Sequence, residues 1–231
     1  VDMICVCEGE NLFGQLINEL ARRNPSVDKI RKIPGLWVRD STKTGYSEAK
    51  WGAVIPLESL PIGDVDLFVN PDLGGDPKVI FKPMYGKWWR SFTVEKARGC
   101  HFKCRFCCHD LYHEMYTQNK ELPAGGRQFR RDKETARFVE DARIKIDRYG
   151  MNFVYVMDED AIPPGVAGVE KIRQFSELYD SAVRLPFWIE TRPETITSDA
   201  MKALSKYCMG ISVGVESGSE EIRKNVMMRK T

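Results

Sequence analysis

Three closely spaced cysteines constrain this chain more than any other feature. Cys100, Cys104 and Cys107 follow the spacing C-x-x-x-C-x-x-C, and Phe106 stands immediately before the third. Three thiolates within eight residues can surround one metal centre, because the thiolate is the form of cysteine that binds metals. Iron–sulfur cubanes normally take four cysteine ligands. The triad therefore predicts a cluster in which one iron lacks a protein ligand and is open to a small molecule.

Three other interpretations of these cysteines compete with the open iron. A structural zinc site usually takes four ligands in two pairs, and no second C-x-x-C follows, although His101, His109 and His113 lie nearby. A disulfide framework is disfavoured because seven cysteines is an odd number. An electron-carrying cluster needs a fourth cysteine, and Cys108 adjoins Cys107 too closely to reach a different corner with ease.

The cysteine spacing resembles the cluster loop of the radical S-adenosylmethionine (radical SAM) superfamily. That family's pattern, C-x-x-x-C-x-aromatic-C, is matched by Cys100, Cys104, Phe106 and Cys107. The resemblance implies a 4Fe-4S cluster on the three cysteines, whose fourth iron binds the amino and carboxylate groups of S-adenosylmethionine. An electron from the cluster then cleaves the sulfonium to methionine and a 5′-deoxyadenosyl radical. The protein's share of such chemistry is to place the cofactor and exclude competing reactions.

An alternation of strand and helix patterns begins near Ser91 and predicts an α/β fold. The expected strands are 92–97, 153–157, 187–191 and 211–215, with amphipathic helices between them. Strands that alternate with helices of this length form right-handed βαβ units and a parallel sheet. This order resembles the radical SAM partial (β/α)6 barrel, of which the chain would hold the first four βα units.

Polar clusters follow the predicted strands at the positions where ligand sites usually form. In parallel sheets the ligand lies at the carboxyl ends of the strands. The clusters that fall there are 100–107, 158–160, 190–192 and 216–218. We expect all four to meet at one edge of the sheet and to form the site.

The strand-end motifs look like those of the cobalamin-associated subgroup of the superfamily, and this resemblance implies roles for five residues. The backbone near Asp158 and Glu159 would meet the amino group of S-adenosylmethionine. Arg192 would bind the carboxylate, and Glu216 would accept hydrogen bonds from the ribose or the amine. Phe106 would lie beside the adenine. These positions are the cofactor-binding residues that the sequence predicts.

Each of these roles has a structural alternative. An acidic residue after a strand often only caps the next helix. Arg192 would then pair with Glu190 or Glu194, and Glu216 would belong to a helix start, where Ser217 and a glutamate three residues later have the spacing of a capping box. The three histidines near the cysteines have no obvious acid/base partner in the sequence. No catalytic residue is therefore assigned.

The start of the chain predicts one strand–helix unit that lacks a sheet. Residues 3–7 form an apolar run typical of a buried parallel strand, and the next helix carries one apolar face with Leu12, Leu16, Ile17 and Leu20. An unpaired edge strand is prone to aggregation, so a preceding sheet is expected. The segment is similar to the end of a Rossmann-like cobalamin-binding domain, which implies cobalamin in a longer protein. Because the chain begins with Val1, we expect a fragment cut at both ends.

The predicted domain organisation has three parts. Residues 1–24 would be the carboxyl-terminal remnant of the cobalamin-binding-like domain. Residues 25–90 would be a linker, rich in proline and glycine, with a loose hairpin between 36–39 and 52–55. Residues 91–231 would be a radical SAM core that is truncated at its carboxyl end.

Composition narrows the partners only slightly. Thirty-five basic and thirty-three acidic residues leave a formal charge of +2, too small to predict nucleic-acid or membrane binding. No apolar run reaches the eighteen residues of a membrane span. Clustered free thiols indicate a reducing compartment and hence the cytoplasm. The resemblance implies a small-molecule or natural-product-like substrate and an electron donor such as flavodoxin or ferredoxin.

The sequence therefore predicts a radical SAM enzyme that modifies an unidentified substrate, for example by methylation or cyclisation. Two alternatives stay open. A radical SAM methylthiotransferase acting on RNA or protein would carry a second cysteine triad in an amino-terminal domain. A non-enzymatic zinc-binding module would use the same cysteines without a cluster.

Overall fold

The computed structural model describes residues 1–6, 8–40, 45–47, 50–52, 54–120, 122 and 128–229. These residues divide into two compact units. The first unit consists of Val1–Leu60 and Tyr112–Phe129, and the second of Pro61–Leu111 and Arg130–Thr231. No helix in the described ranges is long and apolar enough to cross a membrane.

The first unit contains a small antiparallel sheet and two helices. Strands β1 (Met3–Cys5), β2 (Leu36–Asp40) and β3 (Gly45–Ser47) lie in the order β1-β2-β3. Helices α1 (Gly9–Leu20) and α2 (Val27–Ile30) fall between β1 and β2. A compact apolar cluster holds the unit together, formed by Leu12, Leu16, Ile30, Ile33, Leu36 and Val38.

Two predictions for the first unit are wrong. The strand expected to be buried, parallel and unpaired is β1, which pairs antiparallel with β2, with Met3 opposite Val38. The helix expected to face a missing sheet buries Leu12 and Leu16 within its own unit, so the prediction is wrong for these two residues, whereas Ile17 and Leu20 are exposed. A short strand can pair with the next strand along the chain, and an apolar run alone does not reveal this. The strand is therefore not unpaired, although it lies at the edge of its sheet. Cys7, the end of the expected strand, lies outside the described residues.

The predicted hairpin of the first unit also has a different second strand. The partner of β2 is β3, with Arg39 opposite Tyr46, inside the polar stretch that was expected to be a loop. Residues 52 and 54–55 are not in a strand, and Ala53 lies outside the described residues. Strand β3 is three residues long and begins with a glycine, so it shows little apolar alternation in the sequence.

The second unit is built on a five-stranded sheet, consistent with part of a curled half-barrel. Its strands are β4 (Phe81–Met84), β5 (Lys87–Glu95), β8 (Phe153–Met157), β9 (Phe187–Thr191) and β10 (Cys208–Val213), in the order β10-β9-β8-β5-β4. Strands β5, β8, β9 and β10 are parallel, whereas β4 is antiparallel to β5. The α/β class and the parallel sheet are confirmed.

Helices cover one face of this sheet. They are α5 (Thr135–Tyr149), α6 (Gly165–Ala182) and α7 (Ser198–Ala203). Helix α5 is followed by Gly150, a C-cap in the left-handed conformation with φ 62°. The core between sheet and helices is apolar and includes Phe138, Ala142, Val154, Val156, Phe175, Tyr179 and Phe187. A short helix, α3 (Asp66–Val69), precedes the sheet.

Several boundaries in the second unit differ from the prediction. Strands 153–157 and 187–191 are confirmed, but the fourth strand is Cys208–Val213 and not 211–215. The β4–β5 hairpin, turned by Tyr85 and Gly86 at positive φ, lies in the expected linker. The expected capping box after the fourth strand is wrong, because the Ser217 hydroxyl accepts from the Ser219 amide, whereas the Ile222 amide at the start of the π-helical segment Ile222–Val226 donates to the Ser219 hydroxyl.

The cysteine loop is closed at its base by a short ladder. Strand β6 (Ala97–Arg98) pairs antiparallel with β7 (Arg131–Asp132), with Ala97 opposite Asp132. Helix α4 (Cys108–Gln118), which the sequence reading missed, begins directly after the third cysteine of the motif. Within the first unit, Tyr116 of α4 packs with Leu122 and Phe129.

Candidate metal and cofactor site

A cavity of about 410 Å³ lies at the carboxyl ends of β8, β9 and β10. Its walls include the three cysteines of the motif and four of the predicted cofactor residues, Phe106, Glu159, Arg192 and Glu216. The expectation that polar clusters after separate strands meet at one edge is thus met for these residues. A parallel sheet brings them together because all its strands end on the same side.

The three motif cysteines share this cavity but are spaced too widely for one ion. Cys100 and Cys104 are buried, and Cys107 is half-buried with its amide donating to the Cys104 carbonyl at 2.9 Å. Among the described residues, the group whose ligand atoms all lie within 4.8 Å of one another is instead Cys107, Cys108 and His109. A cubane takes one thiolate at each corner, so the wider triad fits a cluster better than a single ion.

Burial raises the pKa of two thiols of the triad, Cys100 and Cys107. Desolvation, with the nearby charge of Asp160, raises the pKa of Cys100 to about 11. Desolvation also raises the pKa of Cys107. Metal ligation requires the thiolate, so metal binding at these cysteines must release protons. Cys100, Cys104 and Cys107 are free thiols.

Arg192 places a guanidinium against the triad. Its Nη1 donates to Cys104 Sγ at 2.6 Å, and its guanidinium carbon lies 3.9 Å from the centre of the Phe102 ring. Its Nη2 and Nε donate to the two carboxylate oxygens of Glu194 at 2.5 and 3.2 Å. The alternative pairing with Glu194 is therefore present, and the same side chain also lines the cavity. A fixed positive charge beside a thiolate stabilises the ligating form of cysteine.

Arg229 joins this group, and the sequence reading did not single it out. Its guanidinium donates to both oxygens of Glu194 at 3.2 and 3.0 Å and lies 3.4 Å from Glu216 Oε1. Burial alone would raise the pKa of Glu194, but hydrogen bonds from Arg192 and Arg229 lower it to about 2. Glu216 has a positive φ of 69°, rare for a residue with a side chain.

Asp158 and Glu159, predicted as a pair, face different surroundings. The Asp158 carboxylate is buried and accepts from the amides of Ala97 at 2.8 Å and Lys96 at 3.2 Å. It therefore fixes the bend between β5 and β6 and does not cap α6, whose N-cap residue is Pro164. Glu159 lines the cavity, with its Oε1 3.8 Å from Nε2 of His109.

A buried ion network under the cysteine loop was missed by sequence reasoning. Asp160 is fully buried and contacts His101 Nδ1 and Arg130 Nη1, each at 2.6 Å. Arg130 Nη1 also donates to the Gly99 carbonyl at 2.8 Å. The expectation that the histidines lack an acid/base partner is wrong for His101, because its partner lies 59 residues away along the chain.

These features define an α/β protein with a parallel sheet and a three-cysteine cavity at its strand ends. The family model for the Radical SAM superfamily matches residues 94–231, more than half of the chain. The chain therefore belongs to the radical SAM superfamily. Membership implies an iron–sulfur cluster and S-adenosylmethionine and indicates an enzyme. No curated protein and no solved structure matches the chain.

Proposed function

We propose that Cys100, Cys104 and Cys107 hold a 4Fe-4S cluster and that the 410 Å³ cavity binds S-adenosylmethionine beside it. When bound, this pair supplies reductive cleavage of the sulfonium and a 5′-deoxyadenosyl radical. The observation that carries the proposal is that all three motif thiols and Arg192 line one cavity at the strand ends. The protein's own residues bind, orient and shield this centre.

The residues around the cysteines hold the loop and balance its charge. Three thiolates add negative charge to a buried site, which costs free energy unless cations lie near. Arg192 supplies one cation through its contact with Cys104. Arg130 and Asp160 fix the loop backbone at Gly99 and the ring of His101 from below. A loop held in this way keeps its cysteines close to the geometry for ligation before metal arrives.

The cavity has charges of both signs for the two ends of an amino-acid group. Glu159 and Glu216 would accept from the ammonium, and Arg192 would donate to the carboxylate. The hydrogen bonds described for Arg192 use three of its five N–H groups, so two remain for a ligand. Phe106 is 52% exposed and offers a ring face to the adenine. Asp158 would contribute only through the backbone that its side chain fixes.

The finer assignment to the cobalamin-associated subgroup rests on the strand-end motifs alone. Under it, residues 1–24 would belong to a cobalamin-binding-like domain, 25–90 to a linker and 91–231 to the core. The substrate would be a small molecule modified by methylation or cyclisation in the cytoplasm, with flavodoxin or ferredoxin as the electron donor. The antiparallel pairing of β1 with β2 removes the argument from an unpaired strand, and the exposed Ile17 and Leu20 of α1 are the physical support that is left for an upstream domain.

A zinc-binding module remains a second candidate because of one observation. The ligand atoms of Cys107, Cys108 and His109 lie within 4.8 Å of one another, a spacing that suits a single tetrahedral ion. Such a site would use only one cysteine of the wide triad that lines the cavity. This alternative does not explain why all three motif cysteines line the same cavity.

Anaerobic reconstitution with iron and sulfide separates the two functions. We expect a brown protein with about four irons per chain, which binds S-adenosylmethionine and forms 5′-deoxyadenosine after reduction by dithionite. Cys5→Ala is the matched control, because Cys5 is an exposed cysteine of the first unit. A colourless protein that takes up one zinc ion and no iron would contradict the proposal.

A further inference from the structure

A second cavity, of about 660 Å³, lies in the same unit on the β4–β5 side of the sheet. Residues from the segment around α3 and from β4, β5, α5 and β8 line it. Cavities of this size are typical of small-molecule sites, and they usually combine apolar walls with a few polar groups. None of its residues belongs to the cysteine cavity.

The cavity exists because β4 is too short to cover β5. Strand β4 pairs with β5 only from Lys87 to Arg90, whereas β8 pairs with β5 from Ser91 to Glu95. The described residues place no strand beside Ser91 to Glu95 on the β4 side. Thr93 is exposed there although β5 is an inner strand of the sheet. Its carbonyl accepts from Lys145 Nζ at 2.8 Å, in place of a strand partner.

The walls of the second cavity are mainly apolar. Val65, Phe68, Val79, Met84 and Phe92 supply hydrocarbon and aromatic surface. Phe68 is 63% exposed and Val79 46% exposed, so this apolar surface faces solvent in the chain as described. An apolar body bound here would remove both side chains from water, and that is favourable in proportion to the area buried.

The charged groups of the second cavity favour an anion. Lys82 and Lys145 both line it, and the one acidic group among its lining residues is Asp64. Asp64 is partly satisfied by the amide of Asp66, which donates to its Oδ1 at 3.0 Å. Lys82 is exposed, and no described carboxylate lies within ion-pair distance of it. The lining residues by themselves carry two ammonium groups and one carboxylate, a net charge of about +1, and the charges of Asp141 and Glu95 also act on Lys145.

A hydrogen bond joins the second cavity to the first. Tyr155 lines the second cavity, and its hydroxyl donates to Glu190, which lines the cysteine cavity. Burial, together with Glu190, raises the pKa of Tyr155 to about 12, so the hydroxyl keeps its proton at neutral pH. The two cavities therefore meet at this pair of side chains.

We infer that the second cavity binds an amphipathic organic anion, with an apolar body and one carboxylate or phosphate held by Lys82 and Lys145. We assign this class of molecule as the substrate, and this part rests on the proposed function. The apolar walls accept the body, the lysines select the charge, and Tyr155 with Glu190 marks the place where the bound molecule would approach the cofactor cavity.

The binding test uses the metal-free chain, so it does not depend on the cluster. The fluorescent probe 1-anilinonaphthalene-8-sulfonate has an apolar body and one sulfonate, and we expect it to bind. Octanoate should displace it at a concentration at least about tenfold lower than 1-octanol requires, because only octanoate carries a charge for the lysines. Octyl phosphate compares phosphate with carboxylate on the same chain length.

Lysine variants decide whether the charge matters. Lys82→Met should weaken octanoate binding about tenfold and leave 1-octanol unchanged. Lys78→Met is the matched control, since Lys78 belongs to the neighbouring Pro77–Ile80 turn and does not line the cavity. Equal affinity for octanoate and 1-octanol, or no effect of Lys82→Met, would overturn the inference. The cavity would then be an apolar surface that another protein segment covers. Thermal unfolding, monitored by circular dichroism, shows whether each variant is folded.

A coupling measurement tests the substrate assignment. In the reconstituted protein, saturating octanoate should change the affinity for S-adenosylmethionine at least about fivefold, and Tyr155→Phe should abolish this coupling while octanoate still binds. Absence of coupling in the natural chain would overturn the substrate assignment and leave the anion site. Failure of iron binding with intact octanoate binding would instead remove the proposed function, so the two failures are distinguishable.

Discussion

The second unit has two kinds of buried region on the same sheet. One is an apolar layer between the sheet and the helices, and the other is a charged rim at the strand ends. Between sheet and helices, Phe138, Val154 and Phe187 are completely buried among hydrocarbon groups. At the strand ends the buried residues are instead charged and include Asp158, Asp160, Arg192 and Arg229. A few residues along each strand separate these two kinds of interior.

The difference teaches where stability and function reside. Burial of apolar surface is the main favourable contribution to folding, whereas buried ion pairs roughly break even. Charges at the rim are therefore not there to stabilise the fold, and they mark the place where a charged ligand is held. Substitutions in the apolar layer should therefore cost stability alone. Those at the rim should change metal or ligand binding, and they should also cost stability where they leave a buried charge without its partner.

The sharpest contrast is expected within the cysteine loop itself. Cys104→Ala should abolish iron retention after reconstitution, because one cluster corner loses its protein ligand. Cys108→Ala, one residue beyond the triad, should retain full iron. Iron and sulfide per chain are the measurements. Full retention in Cys104→Ala, or loss in Cys108→Ala alone, would move the metal to the Cys107–Cys108–His109 group.

Phe138→Ala tests the apolar layer. Truncating this fully buried ring should lower the free energy of unfolding by about 4 kcal/mol, through lost burial and a residual cavity. Iron per folded chain should not change. Urea unfolding of the metal-free protein measures the first quantity, and Leu73→Ala, at an exposed position, is the control expected within about 0.5 kcal/mol of the natural chain. Equal losses for both variants would contradict the contrast.

Arg130→Met tests the network beneath the cysteine loop. Removing one partner leaves Asp160 buried beside only His101, and the expected destabilisation is about 3 kcal/mol. Unlike Phe138→Ala, this variant should also retain less iron, because Gly99 loses its hydrogen bond from Arg130. Iron content at a temperature where both variants are folded is the deciding measurement. Normal iron retention would give Arg130 a purely structural role.

Arg192→Ala and Glu216→Ala test the cavity wall. Each should weaken S-adenosylmethionine binding about ten- to hundredfold, because a charge-assisted hydrogen bond contributes about 1.5–3 kcal/mol. All three cysteine ligands remain, so iron should be retained. Isothermal titration of the reconstituted protein measures the affinity, and Arg173→Ala on the exposed side of α6 is the control. Unchanged affinity for S-adenosylmethionine would mean that Arg192 only pairs with Glu194 and does not bind the cofactor.

Asp132→Asn gives the smallest effect and a pH signature. Burial opposes its ionisation, but Arg130 and Lys96 lower the pKa of Asp132 to about 2. A lowered pKa contributes stability that is complete above the unfolded value near 4 and is lost as the pH falls toward 2. The variant should be about 2 kcal/mol less stable at pH 6, and this difference should shrink between pH 4 and pH 2. A constant difference in urea unfolding would show that ionisation of Asp132 is not its cause.

Local signals were enough to predict much of the second unit. The cysteine spacing led to the family, and the apolar runs at 153–157 and 187–191 are strands with those bounds. The stop of α5 at Gly150 follows from the left-handed conformation of one glycine. Each of these features depends on residues within one element. Within an element, residues that are close along the chain are also close in the structure.

Only the tertiary structure decided the partners of the charged residues and of the edge strands. Arg192 meets Cys104 across 88 positions of the chain, and His101 meets Asp160 across 59. Arg130 and Arg229 have no motif around them, so no sequence signal distinguishes them from solvated surface arginines. Strand β1 looked unpaired because its partner, β2, follows two helices later. Such pairings depend on how elements that are distant in the sequence pack against each other, and local sequence patterns do not specify this packing.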